Sequence, residues 1–410
     1  MKKSPLVVKR WIWIIIFAIL GAFAFFKLIN KSKMNDLQTI LQNLPKEINN
    51  AILLDRSQEG SESDMLKKLE KMIEELNEKN QERQRLMDRE RRVLERKIDS
   101  LKPIPKDSTL REVLSLKFPY SPRSKFPAFI WQVDAADDIV SRRRKGKVGR
   151  EEDVALTKSW KDINPGFVNE LVNEEFMDLL VRFHYQAVPE VMEAYQSLPA
   201  TILKVDFFKY LILLARGGIY CDIDTTPIQA IPNWVPEDMD PRDIGLVIGI
   251  EFDKSLHDNN NKVEEEMTKW ENNYMRRLQF GTWVIQTKMG HPILRDIVVQ
   301  ITEMTLKRKK ENKLKINLDD DLNVMGWTGS GIWTDTIFAY LNDPLKSGVP
   351  NKVSWKNFRY LKEPKKVGDV LVFPEISFNA PETILKKPLQ KENLGYLVTH
   401  KAEKFWKSGK

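Results

Sequence analysis

The chain has 410 residues, 42% of them hydrophobic, enough for one large core with appendages. Its 66 basic and 58 acidic residues leave a net charge of +8, yet seven lysines and arginines and no acid lie among the first 33 residues. The remainder is near neutral, which excludes the basic folded surface of a nucleic-acid binder, and a single cysteine, Cys221, excludes an intrachain disulfide.

Trp11 to Phe26 is an uninterrupted apolar run, extended to Ile29 if Lys27 snorkels to the interface. Two tryptophans open it, as suits a headgroup boundary. Bulky Phe25, Phe26, Leu28 and Ile29 stand where a signal peptidase needs small residues, so residues 11–29 are expected to form a signal anchor and not a cleaved leader. Four basic residues among the first ten put residues 1–10 in the cytosol and the rest of the chain in the lumen, a type II arrangement. The span is near the short end of the usual range of about 17–25 residues, which favours a thin early-secretory membrane. The sequon Asn30-Lys31-Ser32 lies too close to that membrane to be expected in use.

Residues 30–125 read as a lumenal stem. From Met65 to Leu101 there is neither glycine nor proline; Leu66, Leu69, Ile73 and Leu76 follow heptad spacing, and Met87, Leu94 and Leu101 continue one seam. Asn80, Arg83 and Glu90 fall at seam positions, where a polar residue fixes register at a cost in stability. Two readings stay open: a solvated helical stalk, or a coiled coil over about residues 65–101 that self-associates or holds a partner. Pro103 and Pro105 end the helix.

From Phe126 onward the pattern changes. Phe126 to Gln132 reads as a buried first strand, and Asn164-Pro165-Gly166-Phe167 as a turn before a helix. Strands alternating with helices predict an α/β domain over residues 126–410, with ligands bound beyond the carboxyl ends of the strands. An apolar helix from Val205 to Arg216 stops on Gly217 and Gly218, which supply the left-handed cap. A short strand follows, with Asp222 and Asp224 at its mouth. Positions two apart on a strand share a face, so the two carboxylates can converge on a hard divalent cation whose shell is completed by substrate phosphates. That chemistry suits an enzyme that helps a sugar leave a nucleoside diphosphate. Cys221 is either a small buried neighbour of the carboxylates or a reactive thiol.

Asp206 and Lys209 share a face of the preceding helix. His184 and His257 have no metal-like spacing to the carboxylates and are read as structural, and His291 as shaping the turn before Pro292. Asp335 is either a helix N-cap or an acceptor-facing carboxylate. The run Asp319-Asp320-Asp321 reads as a solvated loop and not a second metal site, and Lys307-Arg308-Lys309-Lys310 as an exposed helix end.

Val205 to Asp224 resembles the DXD region of glycosyltransferase family 32, most closely its fungal Golgi α-1,6-mannosyltransferases. Further blocks agree in order: Ile130-Trp131-Gln132; Gln279 to Trp283 with Gly290-His291-Pro292; Thr328 to Asp335; Gly368 to Pro374; and the tail from His400 to Lys407. The stem, from Asp36 to Ile48, is most similar to the coiled-coil-bearing paralogue of the mannan polymerase complex.

The resemblance implies a GT-A-like, Rossmann-type nucleotide-sugar domain in the Golgi lumen, GDP-mannose as donor, Mn²⁺ as metal and a mannan or N-glycan acceptor. By the same analogy other mannosyltransferase subunits join through the stem. It places Asp222 at the donor's ribose and sugar, Asp224 and His400 at the metal, and Asp206 with Lys209 at the nucleotide, although that pair also reads as a plain helix ion pair. Gly217, Gly218 and Tyr220 fall in the donor-binding block, and Trp406 at the diphosphate. The chain departs from the family with Lys209 for Arg, Ser330 for Pro and Phe405 for Ser. An α-linked product from an α-linked donor implies retention, by same-face attack with the leaving phosphate taking the proton or by a covalent glycosyl-enzyme step. A lumenal scaffold subunit with little catalysis is the rival reading; transfer to a sphingolipid, as in other family members, is disfavoured because those proteins lack the long stalk.

Overall fold

A computed structural model divides the chain into two units, residues 1–96 and residues 97–410. The described residues are 71, 74, 75, 77–91 and 94 of the first, and 107–134, 157–257, 273–386 and 395–402 of the second. Residues 1–10, the expected span at 11–29, the sequon and most of the expected stem lie outside them. Among the described residues no helix is long and apolar enough to cross a membrane. Residues 77–91 are helical, as the heptad spacing predicts, and Leu86, Met87 and Leu94 are each more than half exposed.

The second unit is built on a seven-stranded sheet of order β2-β1-β3-β6-β5-β8-β7. Strand β1 (Phe129–Asp134) lies parallel to β2 (Val168–Asn173) and to β3 (Gly218–Cys221). Strand β6 (Leu278–Thr287) runs antiparallel to both β3 and β5 (Leu246–Asp253). β8 (Val370–Phe373) is parallel to β5, and β7 (Lys365–Val367) closes the edge antiparallel. Hence β1, β3 and β5 all point the same way, and their carboxyl ends open along one edge. A separate ribbon pairs β4 (Thr225–Pro227) with β9 (Val398–His400).

Period-two alternation splits the core. Trp131 and Tyr220 enter the larger cluster on one face, while Ile130, Ile219 and Cys221 pack with Trp160 and Trp234 on the other. The principal helices are α1 (Glu174–Tyr185), α2 (Thr201–Arg216), α3 (Pro292–Lys310), α4 (Asp321–Trp327) and α5 (Ser330–Leu341). The turn at 164–167 leads into β2 and not into a helix. Val168 to Asn173 pairs with β1 along its whole length, and the helix begins only where the Asn173 side chain caps it by accepting from Phe176 N.

α2 is buried almost all round and ends on Gly217, whose N–H bonds to the Leu213 carbonyl at 2.8 Å. Gly217 and Gly218 have φ of 65° and 101°, and a Cβ on Gly218 would stand 2.7 Å from the Phe129 carbonyl oxygen. Backbone strain of this kind costs about 1–3 kcal/mol, and the rigid neighbour adds to it. Gly218→Ala is therefore expected to lower unfolding free energy by about 2 kcal/mol or more, read from the urea midpoint.

Candidate active site

The carboxylates do not stand on a strand. β3 stops at Cys221, and Asp222 to Asp224 form a turn in which Thr225 N and Oγ1 donate to the Asp222 carbonyl at 3.2 and 2.6 Å. Convergence of the pair is therefore the work of a turn, and strand alternation was the wrong geometry for it. The turn is pinned on both sides: Asp222 N donates to the Trp283 carbonyl at 2.8 Å, and Trp160 Nε1 to the Thr225 carbonyl at 3.1 Å.

β4 leaves this turn and takes β9 as its partner, with Thr225 opposite His400. The imidazole lies over the Trp283 indole, centroids 4.7 Å apart and planes 19° from parallel, and its Nε2 is 3.4 Å from Asp224 Oδ1. Asp222, Asp224 and His400 thus bring three ligand atoms within 4.8 Å of one another. Two carboxylate oxygens and an imidazole nitrogen form a donor set that suits a divalent first-row cation.

The next layer is Lys209, from α2. Its ammonium is buried, 2.9 Å from Asp206 Oδ1 and 3.7 Å from Asp222 Oδ1, with the Tyr220 ring centroid at 4.9 Å and the Thr282 carbonyl accepting at 3.5 Å. Burial works to lower the lysine's proton affinity, but Asp206 and Asp222 together outweigh it and hold the ammonium above its ordinary range. Asp206 also accepts from Thr328 Oγ1 at 3.0 Å, which ties α2 to the loop before α5. Burial raises Asp222, against the pull of Lys209 and with the help of the neighbouring Asp224 charge. Asp206 and Asp222 both face Lys209, and Asp224 lies close enough to Asp222 to raise it, a gathering of carboxylates that would suit a divalent cation.

The structure therefore brings together Asp206, Lys209, Asp222, Asp224 and His400, with Tyr220 under the lysine. Gly217 and Gly218 stand at the opposite end of β3, where they end α2 and admit β1 closely; the Gly217 carbonyl accepts from Trp131 Nε1 at 3.0 Å. They do not join the carboxylates. Trp406 and Phe405 lie outside the described residues. Cys221 is fully buried, and burial pushes its thiol up, away from the reactive thiolate.

Other expectations resolve plainly. Asp335 sits inside α5 and accepts two hydrogen bonds from the Arg276 guanidinium, so it is no N-cap. Asp320 caps α4 by accepting from Leu322 N. His291 is the buried N-cap of α3, 3.3 Å from Asp369. Lys307 to Lys310 form the last turn of α3. Sequence reasoning places Trp283, the shelf under His400, only within a matching block, and leaves Glu251, at the carboxyl end of β5, unmarked. The Trp283 block offered a signal in its aromatic; Glu251 offered none.

Residues 150–240, which include Asp206, Lys209 and the Asp222–Asp224 turn, match the model of the glycosyltransferase sugar-binding region containing the DXD motif. HOC1 of Saccharomyces cerevisiae, provisionally named as a glycosyltransferase, is 45% identical over 399 residues, covering 96% of this chain and 95% of that one. A Candida albicans protein named initiation-specific alpha-1,6-mannosyltransferase is 38% identical over 296 residues, covering 67% of this chain and 71% of its own. Among solved structures, the PaToxG glycosyltransferase superposes with a TM-score of 0.35 at 13% identity, over 60% of this chain and 85% of that one, a likeness too slight to argue from. With an Asp-x-Asp turn at the mouth of β3 and identity running through nearly the whole chain, this protein belongs to the glycosyltransferases whose sugar-binding region contains the DXD motif.

Proposed function

We propose that the chain is a retaining Golgi α-1,6-mannosyltransferase that moves mannose from GDP-mannose to a mannan or N-glycan acceptor with Mn²⁺, on a GT-A-like Rossmann-type domain. The observation that carries the reading is the convergence of Asp222, Asp224 and His400 ligand atoms within 4.8 Å, beside a buried lysine. The names of the relatives support mannose and the 1,6 linkage.

Asp222, Asp224 and His400 would hold the cation, and Trp283 keeps the imidazole flat against its shelf. A bound divalent cation neutralises the charge of the departing diphosphate. Lys209, locked by Asp206, gives the site a fixed positive charge whose position does not depend on solvent. Same-face attack by the acceptor hydroxyl, with its proton passing to the leaving phosphate, requires no nucleophile from the protein.

The apolar run at residues 11–29 supports a single-pass type II anchor, with residues 30–125 as a lumenal stem. The exposed Leu86, Met87 and Leu94 support a coiled-coil contact with other mannosyltransferase subunits. The test is mannose transfer from GDP-mannose to an α-mannoside by the purified full chain, with and without Mn²⁺. Transfer that requires the cation sustains the reading; a folded chain that transfers nothing, while its partner subunits remain active, points to a scaffold.

A further inference from the structure

A second carboxylate reaches the same edge of the sheet. β5 points the same way as β3 with only β6 between them, so the carboxyl end of β5 opens beside the Asp222–Asp224 turn. The β5–β6 register breaks between Ile248 and Ile250 and again between Ile250 and Phe252, which leaves Glu251 at an irregularity of the ladder. Bulges of this kind re-aim a side chain and are over-represented beside active sites.

Glu251 is held and not left to swing. Its Oε2 accepts from Gln279 Nε2 at 2.9 Å, and the same amide nitrogen donates to Ser330 Oγ at 2.9 Å. Gln279 is fully buried, and its Oε1 accepts from Met275 N and Arg276 N at 3.0 and 3.2 Å, so the amide cannot turn away. Ser330 stands where the resembling family has proline, and its hydroxyl completes this network. Among the described residues no lysine or arginine lies within ion-pair distance of Glu251, so a structural salt bridge does not account for it.

Tyr210 on α2 senses both carboxylate groups. It is fully buried on α2, stacked on Trp333 at 5.3 Å, and its hydroxyl has no hydrogen-bond partner among the described residues. Burial raises that phenol, and the charges of Asp206, Asp222 and Glu251 raise it further. Glu251 in turn feels Lys209 and His400. The carboxylate therefore lies on the β5 side of the Asp222–Asp224 turn, at the sheet edge away from β1.

We propose that Glu251 is a specificity-determining residue of the active site whose carboxylate accepts a hydrogen bond from a sugar hydroxyl. The proposal rests on the transfer reading above. The hydroxyl belongs either to the transferred sugar or to the acceptor sugar, and binding separates the two. A hydrogen bond to a charged group is among the stronger ones, so its loss is expected to cost about tenfold to a hundredfold.

The experiment uses the full chain with Mn²⁺, measuring GDP and GDP-mannose binding by calorimetry and transfer by acceptor titration, for wild type, Glu251→Gln and Ser330→Ala. If the transferred sugar is held, E251Q binds GDP as wild type does but GDP-mannose about 10–100 times more weakly. If the acceptor is held, both bind unchanged and kcat/KM for the acceptor falls by that factor. S330A, which keeps the carboxylate but loosens its anchor, shows a smaller loss in the same arm and stands in should E251Q not fold. GDP-mannose affinity and acceptor kcat/KM both within about threefold of wild type, in the variants that fold, would overturn the proposal. So would a mannosylated Glu251 peptide, which would make the residue a nucleophile. Wild-type protein that does not bind GDP defeats the transfer reading itself, and this proposal with it.

Discussion

Asp224→Asn is expected to lower mannose transfer about a hundredfold or more while leaving the fold intact. Changing even an outer partner of a metal ligand costs about 10–100-fold, and Asp224 is itself one of three converging ligand residues. The amide keeps the volume of the carboxylate but not its charge. Asp222 then loses a neighbour whose charge raises its proton affinity, so the metal-free protein is not expected to be destabilised. The sharper readout is thermal. A cation that binds only the native state stabilises it by about 2.7 kcal/mol at a hundredfold excess over Kd, so wild type should melt higher with Mn²⁺ and D224N should not. A variant that keeps the manganese-dependent shift would place the cation elsewhere.

Lys209→Met is expected to be the most destabilising single change at the site. It leaves the Asp206 carboxylate, buried and 2.9 Å from the ammonium in the wild type, with the Thr328 hydroxyl still donating to it. Breaking a buried pair on one side costs about 3–5 kcal/mol, whereas replacing both charges can be neutral. The single variant should therefore lose on the order of 10 °C in Tm. The double variant Asp206→Asn with Lys209→Met should regain most of it without regaining transfer. Lys209→Arg, which restores the residue usual in the resembling family, should keep both charge and activity. Equal melting of K209M and wild type would show that Asp206 finds another partner.

The helix and its stop were legible because α2 is apolar nearly all round and two glycines end it; only its start, at Thr201 instead of Val205, was misjudged. Asp222 and Asp224 were legible as residue types, but their convergence came from a turn that local spacing does not encode. β2 was missed because Val168 to Asn173 alternates weakly and runs straight into the acidic first turn of α1. His400 could be placed only through its motif, since nothing near it says that its strand will pair with Thr225. Glu251 depends on a break in pairing between β5 and β6, a tertiary event without a local signature. Gly217 and Gly218 lie near the site in sequence, while in the structure they end α2 and start β3, at the end of that strand away from the carboxylates.

The short β4–β9 ribbon has a consequence in time. A chain leaving the ribosome folds its earlier segments first, and Asp224 emerges long before the strand that carries His400. The turn after β3 can form while the tail is still being made, yet the ligand set stays one member short. On the proposed reading, donor capture is deferred until the tail has docked, so a half-made chain has little hold on a sugar nucleotide.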